Sequence, residues 1–264
     1  MLSSYVALGM QNMNRRHKWG SAAVGIAMFL GCAGVQAGEW SLGGSVLVQS
    51  TPYKGVKTKD YITPLPVISY EGEDFYFHTL TAGYYLWKDN ENTLSLDAYY
   101  YPQFFHPKEN DDADMRQLRR HRDTVMAGVT YQHHATWGTL RGIASTDILG
   151  ISDGSRIDGA YLYPFEGEGW TLKPGVGFIW NSKKQNQYEY GVTHKESRNS
   201  GLDAYQPGDS WSPYFELSGG YQFTDQWAMF ALARVERVPS AIQDSPMVNK
   251  SVSSLVWTGI TYTF

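Results

Sequence analysis

From Trp170 to Trp180 the chain changes character at every residue: Trp170, Leu172, Pro174, Val176, Phe178 and Trp180 hold one parity, and Thr171, Lys173, Gly175, Gly177 and Ile179 hold the other. A period of two belongs to an extended strand, whose side chains alternate between faces. An aromatic at each end of the apolar face is what a strand crossing two water–lipid interfaces needs. The pattern recurs. Leu94, Leu96, Ala98, Tyr100 and Phe104 alternate with Ser95, Asp97, Tyr99, Tyr101 and Gln103; Leu140, Ala144 and Ile148 alternate with Arg141, Ser145 and Asp147; Phe215, Leu217, Tyr221 and Phe223 alternate with Glu216, Ser218 and Gln222. Segments of about ten residues of this kind, separated by turn residues, predict an all-β chain folded as an antiparallel up-and-down transmembrane β-barrel.

A soluble sandwich also alternates, so the solvent needs separate evidence. The polar parity carries Lys173, Asp97 and Arg141, as a wet lumen permits. The chain also opens on an export leader: Arg15, Arg16 and Lys18 precede the mostly apolar stretch Ala22 to Leu30 and the small residues ending in Val35-Gln36-Ala37. That order predicts a signal peptide over 1–37, cleaved after Ala37, because the apolar part is shorter than the about 20 residues of a membrane helix. Met13-Asn14-Arg15-Arg16 already begins a leader of ordinary length, so the residues before Met13 carry no structural expectation.

The remaining 227 residues, 38–264, suit one all-β domain. The single cysteine, Cys32, lies in the leader, and Phe29-Leu30-Gly31 before it fits a lipoprotein signal poorly, so the mature chain has neither a disulfide nor a thiolate site. Three of the 22 basic residues fall in the leader, leaving 19 against 26 acidic ones, a net charge of −7 that argues against nucleic acid as a partner. Mean hydropathy is only −0.40, yet 15% of residues are aromatic and 27 are glycine, which fits a barrel with aromatic girdles and closely packed strands.

The last strand adds a third argument. Val256, Thr258, Ile260, Tyr262 and the terminal Phe264 share one parity. Of these, Val256, Ile260, Tyr262 and Phe264 resemble the C-terminal signature by which outer-membrane barrels engage their insertion machinery. Placing Phe264 in the periplasm makes Val238 to Lys250, Asn181 to Ser212, Gly150 to Arg156 and His106 to His121 external loops, and leaves tight turns at Thr224-Asp225, Glu166-Gly167-Glu168, His134-Ala135-Thr136 and Lys88-Asp89-Asn90 inside. Further back the scheme breaks: Glu71-Gly72-Glu73-Asp74 is short but comes out external, and the strands number eleven where parity should be even. The expectation is therefore about twelve strands, with ten as the alternative, and a misjudged strand within Thr51 to Tyr70 or Asn181 to Ser212.

The chain shows no phosphate loop, G-x-S-x-G elbow, H-E-x-x-H motif or EF-hand loop. His133 and His134 are neighbours and point to opposite faces of a strand, which makes shared chelation of a metal difficult. No catalytic, cofactor or metal site is expected. His106 and His121 flank a loop holding Asp111, Asp112, Asp114, Arg116, Arg119, Arg120 and Arg122, a mixed-charge pattern that suits a solvated loop, with lipopolysaccharide phosphates as a sharper alternative for the arginines.

A set of motifs then runs in one order: Tyr188-Glu189-Tyr190-Gly191-Val192, Glu196-Ser197, Ser200-Gly201-Leu202-Asp203-Ala204-Tyr205, Trp211-Ser212-Pro213-Tyr214, Asp225-Gln226-Trp227, Asp244-Ser245-Pro246 and Thr261-Tyr262-Thr263-Phe264. Together with Pro64-Leu65-Pro66-Val67-Ile68-Ser69-Tyr70-Glu71-Gly72, it resembles the MipA/OmpV family over essentially the whole mature chain. Asp203 departs from the family's usual proline. The resemblance implies an outer-membrane barrel without enzymatic activity, a scaffold that joins a membrane-bound murein lytic transglycosylase to a bifunctional penicillin-binding murein synthase in cell-wall synthesis; porin-like channels and adhesins are the alternatives among close relatives. It transfers no partner-binding residues. Membrane lipid, lipopolysaccharide and the insertion machinery are further expected partners. Gly191 and Gly201 suit sharp turns; Tyr188, Tyr190 and Tyr205 either simply order the long loop, which is the preferred reading, or fold it over or into the lumen.

Overall fold

A computed structural model describes residues 38–56 and 62–264; residues 1–37, expected from the sequence to be a cleaved leader, lie outside the described residues. The strands are β1 (Glu39–Ser50), β2 (Ile62–Glu71), β3 (Phe75–His78), β4 (Thr81–Lys88), β5 (Asn92–Tyr101), β6 (Thr124–Ala135), β7 (Gly138–Asp147), β8 (Ser155–Leu162), β9 (Phe165–Gly167), β10 (Trp170–Asn181), β11 (Ser210–Gln222), β12 (Trp227–Arg237) and β13 (Val252–Thr263). Each pairs antiparallel with its neighbours, and β8 and β9 pair with successive stretches of β10, forming one crossing interrupted at Tyr163-Pro164. The result is a closed barrel of twelve crossings, as expected.

The seam joins the first strand to the last. β1 and β13 pair from Ser41↔Thr263 to Ser50↔Ser254, and the Phe264 N–H donates to the Trp40 carbonyl at 3.0 Å. Closure joins the two terminal edges of the sheet, which a bilayer could not satisfy.

The outward parity is the one read from the sequence. Val176 is 56% exposed, and Leu96, Leu140, Phe178, Phe215, Val256 and Ile260 are exposed with it. At the short-turn end Trp40, Trp87, Trp137, Trp170 and Trp227 form a girdle, and Tyr262 packs edge-on against both Trp227 and Phe264. The four residues of the C-terminal signature therefore share the lipid-facing side of the closing strand.

Three expectations need correction. The misjudged strand lies in neither Thr51 to Tyr70 nor Asn181 to Ser212. It lies in the short hairpin β3–β4, which reverses at Thr79-Leu80 and returns the Glu71 to Asp74 turn to the periplasmic end with the other short turns. Phe104 is not on the lipid face, because β5 ends at Tyr101 before Pro102, and Phe104 packs against an inward apolar cluster. Nor is the lumen a uniformly wet surface: Leu47, Val67, Phe230, Leu232, Leu255 and Trp257 bury one another along the inner faces of β1, β2, β12 and β13.

Candidate functional site

The long connections gather at one end of the barrel and build a core of their own. Tyr53 comes from the β1–β2 connection, Phe105, Met115 and Leu118 from 102–123, Tyr190, Val192 and Leu202 from 182–209, and Val238, Ile242 and Met247 from 238–251. Phe105 and Met115 are wholly buried there. The mouth of the barrel is thus covered by a cap with a hydrophobic interior.

Within it, α1 (Lys183–Tyr190) and α2 (His194–Ser200) carry most of the motif residues. α1 has almost no apolar residue and would not hold a helix alone; its polar face is buried in the mouth. Glu189 accepts from Tyr101 Oη at 2.9 Å and Gln185 Nε2 at 2.8 Å, while Asn186 Nδ2 donates to the Gly208 carbonyl at 2.7 Å and to Ser210 Oγ at 3.0 Å. α2 begins with a reciprocal cap in which Thr193 Oγ1 accepts from the Glu196 N–H and Glu196 Oε2 accepts from the Thr193 N–H. Glu196 Oε1 also accepts from the Arg119 N–H at 3.3 Å, tying α2 to the 102–123 loop. These hydrogen bonds hold the Glu196 carboxyl below its usual range against the opposing effect of burial.

The structure draws the remaining motif residues into the same cap. Val192 and Tyr205 exchange backbone hydrogen bonds at 2.9 Å, and Tyr205 Oη donates to the Ala241 carbonyl, also at 2.9 Å. Tyr188 Oη accepts from the Arg122 N–H at 2.6 Å. Ser245 Oγ, between Asp244 and Pro246 after the short helix α3 (Ser240–Gln243), donates to the Tyr190 carbonyl at 2.7 Å. Ser197 accepts the Gly201 N–H at 2.9 Å where Gly201 ends α2 at φ +80°, a left-handed conformation that favours glycine. Gly191 is needed for space, since a Cβ there would sit 2.4 Å from the Gln187 carbonyl oxygen. Asp203, where the family usually has proline, is exposed.

His121, which flanks the loop expected to be solvated, is buried. Its ring lies 5.0 Å from Phe105 and 5.1 Å from Tyr188, and burial, reinforced by the Arg119 charge, pushes its pKa down to about 3. A histidine neutral in the fold and basic when released gives full stability above about pH 6.5, lost progressively as pH falls toward its folded value. Opening of the cap, read by amide exchange at Val192 and Leu202, should therefore increase between about pH 6 and pH 4. His121→Phe should flatten that dependence. The neighbouring arginines are partly committed: Arg116 Nη1 donates to the Asn110 carbonyl at 3.0 Å, and Arg119 pairs with Glu196 at 3.7 Å. His133 and His134 separate as expected, bonding to Asn92 and Thr139 respectively, both at 3.0 Å.

Below the cap lies a charged cluster that periodicity could not assemble. Arg141 on β7 donates to both Glu216 carboxylate oxygens at 3.3 Å and to Tyr214 Oη at 3.1 Å; Arg234 on β12 donates to Asp158 Oδ2 at 3.2 Å and, through Nε, to Glu216 Oε2 at 3.1 Å. Tyr214 Oη donates to Asp158 Oδ1 at 2.7 Å, and the Arg234 guanidinium stacks 3.7 Å from the Tyr214 ring centre. The four charged side chains are at most 5% exposed. Every carboxylate oxygen is held by a cation or a phenol, so the cluster braces β7, β8, β11 and β12 across the lumen. A second polar group, Tyr76 with Asp97 and Ser95, fills the inner face of β3 and β5.

A closed twelve-crossing barrel with an apolar belt, a tryptophan girdle at its short-turn end and a loop-built cap at the other defines an outer-membrane β-barrel protein. More particularly, the chain belongs to the family described as MltA-interacting protein MipA, whose model matches residues 42–264. It is 47% identical to the MltA-interacting protein of Escherichia coli K12 over 86% of this chain and 91% of that protein, and 34% identical to the putative outer membrane protein YiaT of the same strain over 88% and 94%. Among solved structures, an outer membrane channel from Pseudomonas putida F1 covers 88% of this chain and 97% of its own, at 8% identity and a TM-score of 0.42. The protein resides in the outer membrane.

Proposed function

We propose that this protein is a non-enzymatic scaffold that brings a murein lytic transglycosylase together with a bifunctional penicillin-binding murein synthase beneath the outer membrane. The observation that carries the proposal is the 47% identity, over nearly the whole mature barrel, to a relative whose name states an interaction with MltA. The internal chemistry supports it, because the four charged side chains of the Arg141, Asp158, Glu216 and Arg234 cluster are spent on one another rather than on a ligand. Crosslinking in intact envelopes should recover both a lytic transglycosylase and a penicillin-binding protein with this chain. Recovery of neither would sink the reading.

The polar inward parity favours a second reading, a small diffusion channel. Single-channel recording separates the two: with Arg141, Asp158, Glu216 and Arg234 across the lumen and α1 in its mouth, little or no conductance is expected, whereas steady open currents would favour the channel.

We further propose that Val256, Ile260, Tyr262 and Phe264 are read by the barrel-insertion machinery. Deleting Phe264 should leave export and leader cleavage intact while cutting the amount of heat-modifiable protein in the outer membrane. Assembly at the wild-type yield would refute it.

A further inference from the structure

The barrel wall has a notch. Because β3 has four residues and the chain reverses at Thr79-Leu80, the last β2–β3 pair is Ser69↔His78 and the first β4–β5 pair is Thr81↔Tyr99. The turn closes the floor: the Thr79 N–H donates to the Ile68 carbonyl at 2.7 Å, the Ile68 N–H to Thr79 Oγ1 at 3.2 Å, and the Tyr100 N–H to the Leu80 carbonyl at 2.9 Å. Above that floor, among the described residues, no strand pairs with the side of β2 that faces away from β1.

The residues on the two lips suit an open edge. Even-numbered residues of β2 direct their backbone groups toward the notch, as Ile68 does, and two of the next three are Pro64 and Pro66, which have no N–H. On the opposite lip the even-numbered residues of β5 face the notch, as Tyr100 does, and the next one is Pro102. Proline removes donors that hydrocarbon would leave unbonded, and it blocks the addition of a further strand.

The surroundings name the occupant. On the outside, Ile62 and Tyr100 flank the notch and Ile68 lies at its floor; they are 55%, 39% and 40% exposed on the lipid-facing parity. The notch lies on the long-loop side of the hairpin, which is the outer-leaflet side. Between the lips is a cavity of about 350 Å³ with a largely polar lining: Thr63, Gln103, His106, Glu109, Asn110 and Asp123 line it together with Val56, Tyr100, Pro102 and Phe104. Inside it, Leu65, Leu80 and Phe104 pack on the apolar sector of the lumen formed by Leu47, Val67 and Leu255. Apolar groups thus meet the notch at its outer face and at its inner floor, while its loop-side part is polar and suits a headgroup.

We propose that the notch is a lateral binding site for one acyl chain of an outer-leaflet lipid, lying between Ile62–Val67 and the end of β5 with its tip against Leu65, Leu80 and Phe104. The test uses the mature protein folded into phosphatidylcholine vesicles that contain a phosphatidylcholine bearing a diazirine near the end of one chain, with labelled residues mapped by mass spectrometry after illumination. Labelling of the inward-facing Leu65, Leu80 and Phe104, alongside the outward Leu96 and Val176, is the expected result, with the inward Ile143 and Ile179 unlabelled. Leu65→Arg should lower labelling at Leu80 and Phe104 severalfold and leave Leu96 labelled. Labels confined to outward residues, equal labels at Ile143, or undiminished labels in a folded Leu65→Arg protein would each overturn the proposal. If that variant fails to fold, the wild-type map alone decides between these outcomes.

Discussion

Replacing Arg234 with methionine is expected to destabilise the folded barrel by about 3 to 5 kcal/mol, the usual cost of removing one partner from a buried ion cluster. Asp158 and Glu216 would be left with Arg141 facing both carboxylates, in a site where their side chains are at most 5% exposed. The companion experiment separates the worth of the cluster from the cost of breaking it. Arg234→Met combined with Glu216→Met removes one charge of each sign, and should lose much less than the two single changes added together. Reversible unfolding from lipid vesicles by denaturant measures all three. A single-variant loss below about 1 kcal/mol would mean that water reaches the cluster and screens it.

Val176→Arg is expected to cost about 2 to 4 kcal/mol in the same assay, because its side chain enters the bilayer from the middle of β10. Val176 is 56% exposed on the outer face. The neighbouring Gly177 faces inward but makes a poor control, since a Cβ there would sit 2.4 Å from the Tyr214 ring and 2.5 Å from the Gly159 carbonyl oxygen. Any side chain at Gly177 would be punished for space rather than for solvent. Val176→Leu keeps the environment apolar and should stay within about 1.5 kcal/mol of wild type. Equal losses for the leucine and arginine variants would show that this face does not meet lipid.

The exterior was legible because the bilayer imposes one rule on every strand: each second residue must suit hydrocarbon. Trp170 to Trp180 obeys it throughout, so its face could be assigned without knowing its neighbours. The β3–β4 hairpin escaped because four residues are too few to display a parity, and because its turn places Thr79 at φ 48°, a conformation usually announced by glycine. The ion cluster escaped for a different reason. Arg141 and Glu216 are 75 positions apart, and only barrel closure determines which inward side chains face each other. In the cap the motif residues were visible as a group, but α1 was not, since its polar sequence lacks the periodic apolar stripe that marks a helix. Pro64 and Pro66 were noticed within a motif, yet their meaning depended on which side of β2 lacked a partner.

The cap also straddles the seam. Tyr53 follows the first strand and Met247 precedes the last, and they enter one core, with the Lys54 N–H donating to the Met247 carbonyl at 2.8 Å and Tyr53 bridging to Val248. Such a core cannot condense while the two ends of the sheet are still apart. During biogenesis its appearance therefore comes after closure, and the resistance of the surface loops to protease becomes a clock for the final step of assembly. A chain halted with its ends unjoined would present four loose, cleavable loops to the outside, and a finished one would present a single hard surface.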